Sequence, residues 1–218
     1  MPGTIDTLIK MHTTNDTLRL GRALADARGA LILIHGRGSS PEDIVGLIDV
    51  FNADDLAILA PAAAGGSWYP QRFFVPLEQN EPSLSHALNT LAALVGEVTA
   101  AGIPTERVGL IGFSQGACLA LEHTVRAGHR HGFTAALSGA LIGPINTPRP
   151  TRDLHGTPIL LGCAELDAHI PLEHVEHSAD VLIDMNADVT KQIYPGSAHT
   201  VFPQEIAWLN QQLAQLRV

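Results

Sequence analysis

An α/β fold, with a parallel or mostly parallel central sheet and helices on both faces, is what this sequence predicts, and three observations carry the prediction. Short apolar runs, stopped by Gly, Pro or a turn, recur along the chain and read as buried strands. Between them lie longer stretches with apolar residues at helical spacing. The two kinds of segment alternate, as βαβ units require and as hairpins or bundles do not.

The first run, 31–34, ends at Gly36-Arg37-Gly38 and reads as a strand followed by a turn. Ser39-Ser40-Pro41-Glu42-Asp43 then starts a helix, with an early proline and acids in the first turn, and should carry Ile44, Leu47 and Ile48 inward. Residues 56–59 form a second strand, stopped by Pro61. Residues 62–82 are irregular, with Gly65-Gly66, three prolines and the densest aromatic cluster in the chain; a connection this long is functional or mobile. Residues 83–101 form a helix with Leu84, Leu88, Leu91, Leu94, Val95 and Val98 on one side. Gly102 ends it and Pro104 prevents its return. A strand at 107–111, a helix at 115–127 and a strand at 134–137 follow. The proline-rich connection 144–158 leads to a strand at 159–161, a helix at 172–185, a strand at 189–194 and a last helix at 205–216. Neither an internal repeat nor a domain boundary is visible, so 1–218 is expected to form one domain.

Composition bounds the function. The 218 residues include 13 basic and 22 acidic side chains and 11 histidines, for a formal net charge of −9, with 45% hydrophobic and 16% charged residues. Such a chain can bury a sizeable core, is too apolar and too weakly charged to be disordered, and is too acidic for nucleic acid or an anionic membrane to be its main partner. Asp6, Lys10, Asp16 and Arg19 interrupt the N-terminal segment, leaving no signal-peptide core, and no run reaches the roughly 18 apolar residues of a membrane span. A cytoplasmic location is therefore expected. Cys118 and Cys163 match no metal or CxxC spacing and read as small buried hydrophobes. No zinc pair or phosphate loop occurs, so no metal is expected. Gly36-Arg37-Gly38 lacks the third glycine and the following acid of a dinucleotide turn.

Gly112-Phe113-Ser114-Gln115-Gly116 matches G-x-S-x-G and sits directly between a strand and a helix, the setting of a nucleophile elbow. A serine nucleophile needs a base, and the base an orienting acid. In a wound sheet both should stand on loops after later strands. His123, His129 and His131 lie on or just after the helix following the serine and cannot fold back onto it. His174 and His177, spaced three apart among Glu173 and Glu176, read as a solvated helix face. His155 lies in the proline-rich connection. His199, in Gly196-Ser197-Ala198-His199 after the last strand, has the right position, with the other histidines assigned to the surface apart from His35 in the first loop and His169 beside the acid. Asp167 and Glu165 both follow the 159–161 strand; Asp167, nearer the loop apex and Pro171, is preferred. Ser, Asp, His is the α/β-hydrolase chain order. The amides of Gln115 and of Arg37, in His35-Gly36-Arg37-Gly38, are the expected oxyanion donors.

These segments, with Ala60-Pro61, Ser67-Trp68-Tyr69, Leu137-Ser138-Gly139 and Asp167-Ala168-His169-Ile170-Pro171, make the chain resemble the phospholipase/carboxylesterase branch of the α/β-hydrolases, which includes acyl-protein thioesterases. The resemblance implies an α/β-hydrolase fold without a substantial cap domain, Ser114 as nucleophile, His199 as base, Asp167 as orienter, and ester or thioester hydrolysis without a cofactor. The chain departs from the family where Arg37 replaces a small or aliphatic residue and where Ser39-Ser40 replaces an aspartate. Trp68, Tyr69, Phe73, Phe74, Phe113 and Ile170 are expected to line a shallow, open pocket for small apolar acyl or aryl groups. The net charge disfavours anionic substrates unless Arg37 or Arg72 offsets it locally. The expected partner is a small-molecule ester, with no nucleic acid and no membrane span; a homodimer is left open. A serine peptidase or amidase on the same elbow and a non-catalytic ligand-binding homologue are the alternatives. Because a histidine must be neutral to act as base, activity should fall on acidification.

Overall fold

The run Gly-Ala-Leu-Ile-Leu-Ile is buried at all of its positions, as a strand covered on both faces must be. It forms β2 (Gly29–Ile34), near the centre of a sheet whose other members are β1 (Thr17–Gly21), β3 (Leu56–Pro61), β4 (Val108–Phe113), β5 (Phe133–Leu137), β6 (Pro158–Ala164) and β7 (Asp188–Tyr194). The computed structural model describes residues 11–51 and 53–216. The seven strands follow the order β1-β3-β2-β4-β5-β6-β7. Each neighbouring pair from β3 to β7 is parallel, and β1 runs antiparallel along the β3 edge.

The helices are α1 (Pro41–Val45), α2 (Ser83–Ala100), α3 (Gln115–Ala127), α4 (Leu172–Asp184) and α5 (Pro203–Gln215). Alternate residues of β2 face opposite layers. Ile32 and Ile34 join one core with Leu84 and Leu91 of α2, Leu121 of α3 and Val175 of α4. Leu31 and Leu33 join the other with Ile44 of α1 and Trp208, Leu209 and Leu213 of α5. Because the strands from β2 to β7 are parallel, their carboxyl ends share one edge of the sheet, where the chain emerging from β2, β4, β6 and β7 gathers.

Several elements differ from expectation. No strand was expected before residue 31; β1 is mostly exposed and carries Arg19, whose guanidinium pairs with Glu97 of α2 at 2.8 Å, so it lacks the apolar run that marks a buried strand. The helix after Ser40 stops at Val45 and continues as a 3-10 turn, Gly46–Val50; Ile44 is buried, while Leu47 and Ile48 pack on the core only partly buried. The Ser40 hydroxyl accepts from the Asp43 amide and the Asp43 carboxylate accepts from the Ser40 amide, closing the helix start. His123 and His131 are buried rather than at the surface, on α3 and in the turn before β5. The proline-rich connection is tied down by Arg149, which reaches the buried Glu122 of α3 at 2.6 Å. No helix among the described residues is long and apolar enough to cross a membrane.

Candidate active site

β4 ends at Phe113 and α3 begins at Gln115, so Ser114 alone makes the turn, with φ 55° and ψ −117°. Such a conformation costs a non-glycine residue on the order of 1–3 kcal/mol and persists only where the surroundings enforce it. Here the enforcement is close backbone packing. A Cβ on Gly112 would come within 2.3 Å of the Gly116 carbonyl oxygen, and one on Gly116 within 2.1 Å of that of Ile34. The Ser114 amide donates to Leu137 O at 2.9 Å, anchoring the elbow to the end of β5.

The loop after β7 brings His199 to this serine. Ser114 Oγ lies 2.9 Å from His199 Nε2, and His199 Nδ1 lies 2.7 Å from Asp167 Oδ2 on the loop after β6. Asp167 is buried, and its other oxygen accepts the amides of His169 at 2.8 Å and Ile170 at 3.2 Å, which fixes the carboxylate against rotation. The His199 ring lies between Phe113, at 5.0 Å, and His169, at 4.7 Å between centroids. Glu165 is exposed and accepts from the Gly196 amide, away from His199.

Arg37 and Gln115 flank the serine, and neither of their amides hydrogen-bonds to another described residue. Their side chains grip one and the same loop. Gln115 accepts from the Trp68 amide at 2.9 Å and donates to Tyr69 O at 2.7 Å. Arg37 donates to Pro70 O at 2.8 Å and also to Gln71 O. His35 donates from Nδ1 to Gly36 O at 2.7 Å while its Nε2 accepts the Ala63 amide at 3.0 Å. His12 repeats the device, accepting from Ala64 and donating to Trp68 O. Burial lowers the pKa of both imidazoles, consistent with the neutral tautomers these bonds require.

A cavity of about 570 Å³ opens beside Ser114, with Tyr69, Phe73, Phe113 and Ile170 among its walls. Two residues expected there are absent from them. Trp68 is fully buried beneath the loop, where its indole N–H donates to His35 O at 2.8 Å and its ring packs between His12 and His35. Phe74 turns to Phe73 and His174. His174 therefore covers this aromatic pair instead of standing on a solvated face. Cys118, one helical turn after Ser114, also borders the cavity; burial raises its thiol to about 12, and that of Cys163 to about 12, so neither supplies a thiolate at neutral pH. The clamp of His12, the packing of His169 on His199 and the position of Cys118 were not expected. For His12 the sequence holds no local signal, since its contacts lie more than 50 residues away.

A family profile described as Phospholipase/Carboxylesterase matches residues 22–216. Acyl-protein thioesterase 1 of Gibberella zeae is 31% identical over 127 residues, covering 55% of this chain and 54% of that protein, so the chain spans about half the length of that relative. Acyl-protein thioesterase 1 of Saccharomyces cerevisiae is 27% identical, covering 87% and 93% of the two chains. Among solved structures, a phospholipase/carboxylesterase from Dyadobacter fermentans is similar with a TM-score of 0.89 at 37% identity, covering 94% of this chain and 99% of that one. The architecture is the α/β-hydrolase fold, without a large cap among the described residues. By the extent of the profile match and the full-length likeness to a solved member, this chain belongs to the phospholipase/carboxylesterase family.

Proposed function

We propose that the protein is a serine hydrolase of carboxylesterase type, cleaving ester or thioester bonds of small substrates with an apolar acyl or aryl part through an acyl-enzyme. The observation that carries the reading is the unbroken hydrogen-bond chain from Asp167 through His199 to Ser114, ending on a serine in a strained turn. Ser114 Oγ attacks the carbonyl carbon while its proton passes to His199 Nε2. Asp167 holds the Nδ1–H and stabilises the imidazolium. As the tetrahedral intermediate collapses, His199 returns the proton to the leaving oxygen or sulfur. A water, deprotonated by the same nitrogen, then releases the acid and restores the serine. The amides of Arg37 and Gln115, the latter at the start of α3 where the helix dipole is positive, receive the oxyanion; one such donor is worth about 10²–10³ in rate. The protein is further proposed to act in the cytoplasm on a small-molecule ester and as one domain.

The test is Ser114→Ala on p-nitrophenyl acetate and butyrate, with labelling of the unmodified protein by a fluorophosphonate. Loss of turnover in the variant and labelling that requires Ser114 are expected. Turnover retained by Ser114→Ala overturns the reading.

A further inference from the structure

We propose that the substrate part held in the 570 Å³ cavity ends in a carboxylate, recognised at the cavity mouth by Arg72 together with the charge of Arg37; this deepens the esterase reading and rests on it. The chain is acidic, with a formal net charge of −9. Yet two arginines border the cavity and, among the described residues, no aspartate or glutamate does. Arg19, Arg126, Arg149 and Lys191 each reach a carboxylate within 4.0 Å; Arg37 and Arg72, like Arg130 and Arg152, make no ion pair with a described residue, and of these four only Arg37 and Arg72 border the cavity.

The two guanidiniums are held differently. Arg37 spends N–H groups on the carbonyls of Pro70 and Gln71 and lies 5.9 Å from the Tyr69 ring centre, a fixed positive charge without a counter-ion. Arg72 lies over Phe74 at 5.6 Å, and its guanidinium donates to no described residue. Stacking occupies the face of a guanidinium and leaves its in-plane N–H edge for the two oxygens of a carboxylate. Below the arginines the walls are Tyr69, Phe73, Phe113 and Ile170, so the anion needs an apolar stem between itself and the reacting carbonyl.

The other half of the ester has its own place. A groove of about 290 Å³ on the far side of Gly36, Phe113 and His199 is bordered by Ile44, Leu47 and Val201. Its one acid, Asp43, is engaged by the hydroxyls of Ser39 at 2.8 Å and Ser40 at 3.2 Å. An ester between a short dicarboxylic acid and an apolar alcohol matches both sides. A single negative charge suits the site better than a dianion, because the net charge of the molecule repels each added charge.

The experiment compares kcat/KM for the p-nitrophenyl half-ester of glutaric acid with that for p-nitrophenyl pentanoate, its neutral counterpart of equal stem length. The half-ester should be favoured by about 10-fold at low salt, with the ratio shrinking in about 0.5 M salt as the charges are screened. Arg72→Gln should reduce the ratio about 3-fold or more, and Arg72→Glu should take it below 1, as expected for a lost and then reversed charge contact. A ratio at or below 1 in the unmodified protein, or a ratio that Arg72→Gln and Arg72→Glu leave in place, overturns the proposal. If neither ester turns over and no fluorophosphonate label appears, it is the esterase reading itself that fails. Turnover of pentanoate without preference for the half-ester leaves that reading standing and removes only this proposal.

Discussion

Within one peptide plane the carbonyl and the N–H point opposite ways, so whatever holds the Gly36 oxygen also aims the Arg37 amide. The Gly36 oxygen receives His35 Nδ1–H at 2.7 Å and the Ser39 amide at 3.3 Å. His35→Leu deletes the nearer donor and leaves the buried Ala63 amide without its acceptor. An unsatisfied buried amide costs about 1–3 kcal/mol, and misaiming the Arg37 amide, the proposed oxyanion donor, should lower kcat by about 10- to 100-fold with little change in KM. Thermal midpoints and kcat and KM on p-nitrophenyl butyrate check this, and an unchanged kcat contradicts it. At this scale the sequence is informative where chemistry sits on a local pattern: Ser114 between two glycines, Asp167 and His199 on loops directly after strands. It is silent where a role depends on distant packing. Trp68 and Tyr69 are neighbours in the same aromatic cluster, yet one lies under the loop and the other borders the cavity, and only the bonds to His35 and Gln115 decide which.

Elements buried on both faces are legible because burial leaves a continuous apolar run; β1 is not, because an edge strand with three exposed residues needs none. The segment between β5 and β6, read from the sequence as the proline-rich connection 144–158, is legible only as a loop, since its order depends on a carboxylate outside it. Glu122 of α3 holds Arg126 at 2.8 Å and Arg149 at 2.6 Å, and Arg149 also donates to Ile142 O. The side chains of Glu122 and Arg149 are only 2% and 10% exposed, so removing one partner strands a buried charge. Glu122→Gln should therefore destabilise the fold by about 3–5 kcal/mol in urea unfolding. The paired replacement Glu122→Leu with Arg149→Met, which removes both charges, should recover most of that loss. An effect of Glu122→Gln below about 0.5 kcal/mol, the range of an ordinary surface substitution, would show that the pair holds nothing together.

For the whole molecule, the distribution of buried imidazoles sets the response to pH. Burial lowers His12 and His35 below the ordinary value of 6.5, and takes His123 to about 4 and His131 to about 3. The His131 ring lies 5.7 Å from His123 and 4.7 Å from His129, and neither of its nitrogens has a partner among the described residues, so protonating one ring also sets it against the next. Below pH 6.5 the unfolded chain binds protons that these histidines refuse when folded. Stability is therefore lost as pH falls, with a slope approaching about 1.4 kcal/mol per pH unit for each of His123 and His131 and a further contribution of the same sign from His12 and His35. Glu205 acts in the opposite sense. Burial raises its carboxyl from 4.5 to about 7, so the folded chain holds a proton that the unfolded chain has released, and stability declines as pH rises through that window. Several histidines outweigh one glutamate below 6.5, so the thermal midpoint should fall steeply from pH 6.5 toward pH 4.5. His131→Leu should flatten the acid limb by about one proton's worth of slope, and Glu205→Gln, which removes the opposing proton, should steepen it. A midpoint independent of pH between 4.5 and 6.5, or an acid limb equally steep in His131→Leu, would mean that the buried imidazoles do not set the acid stability.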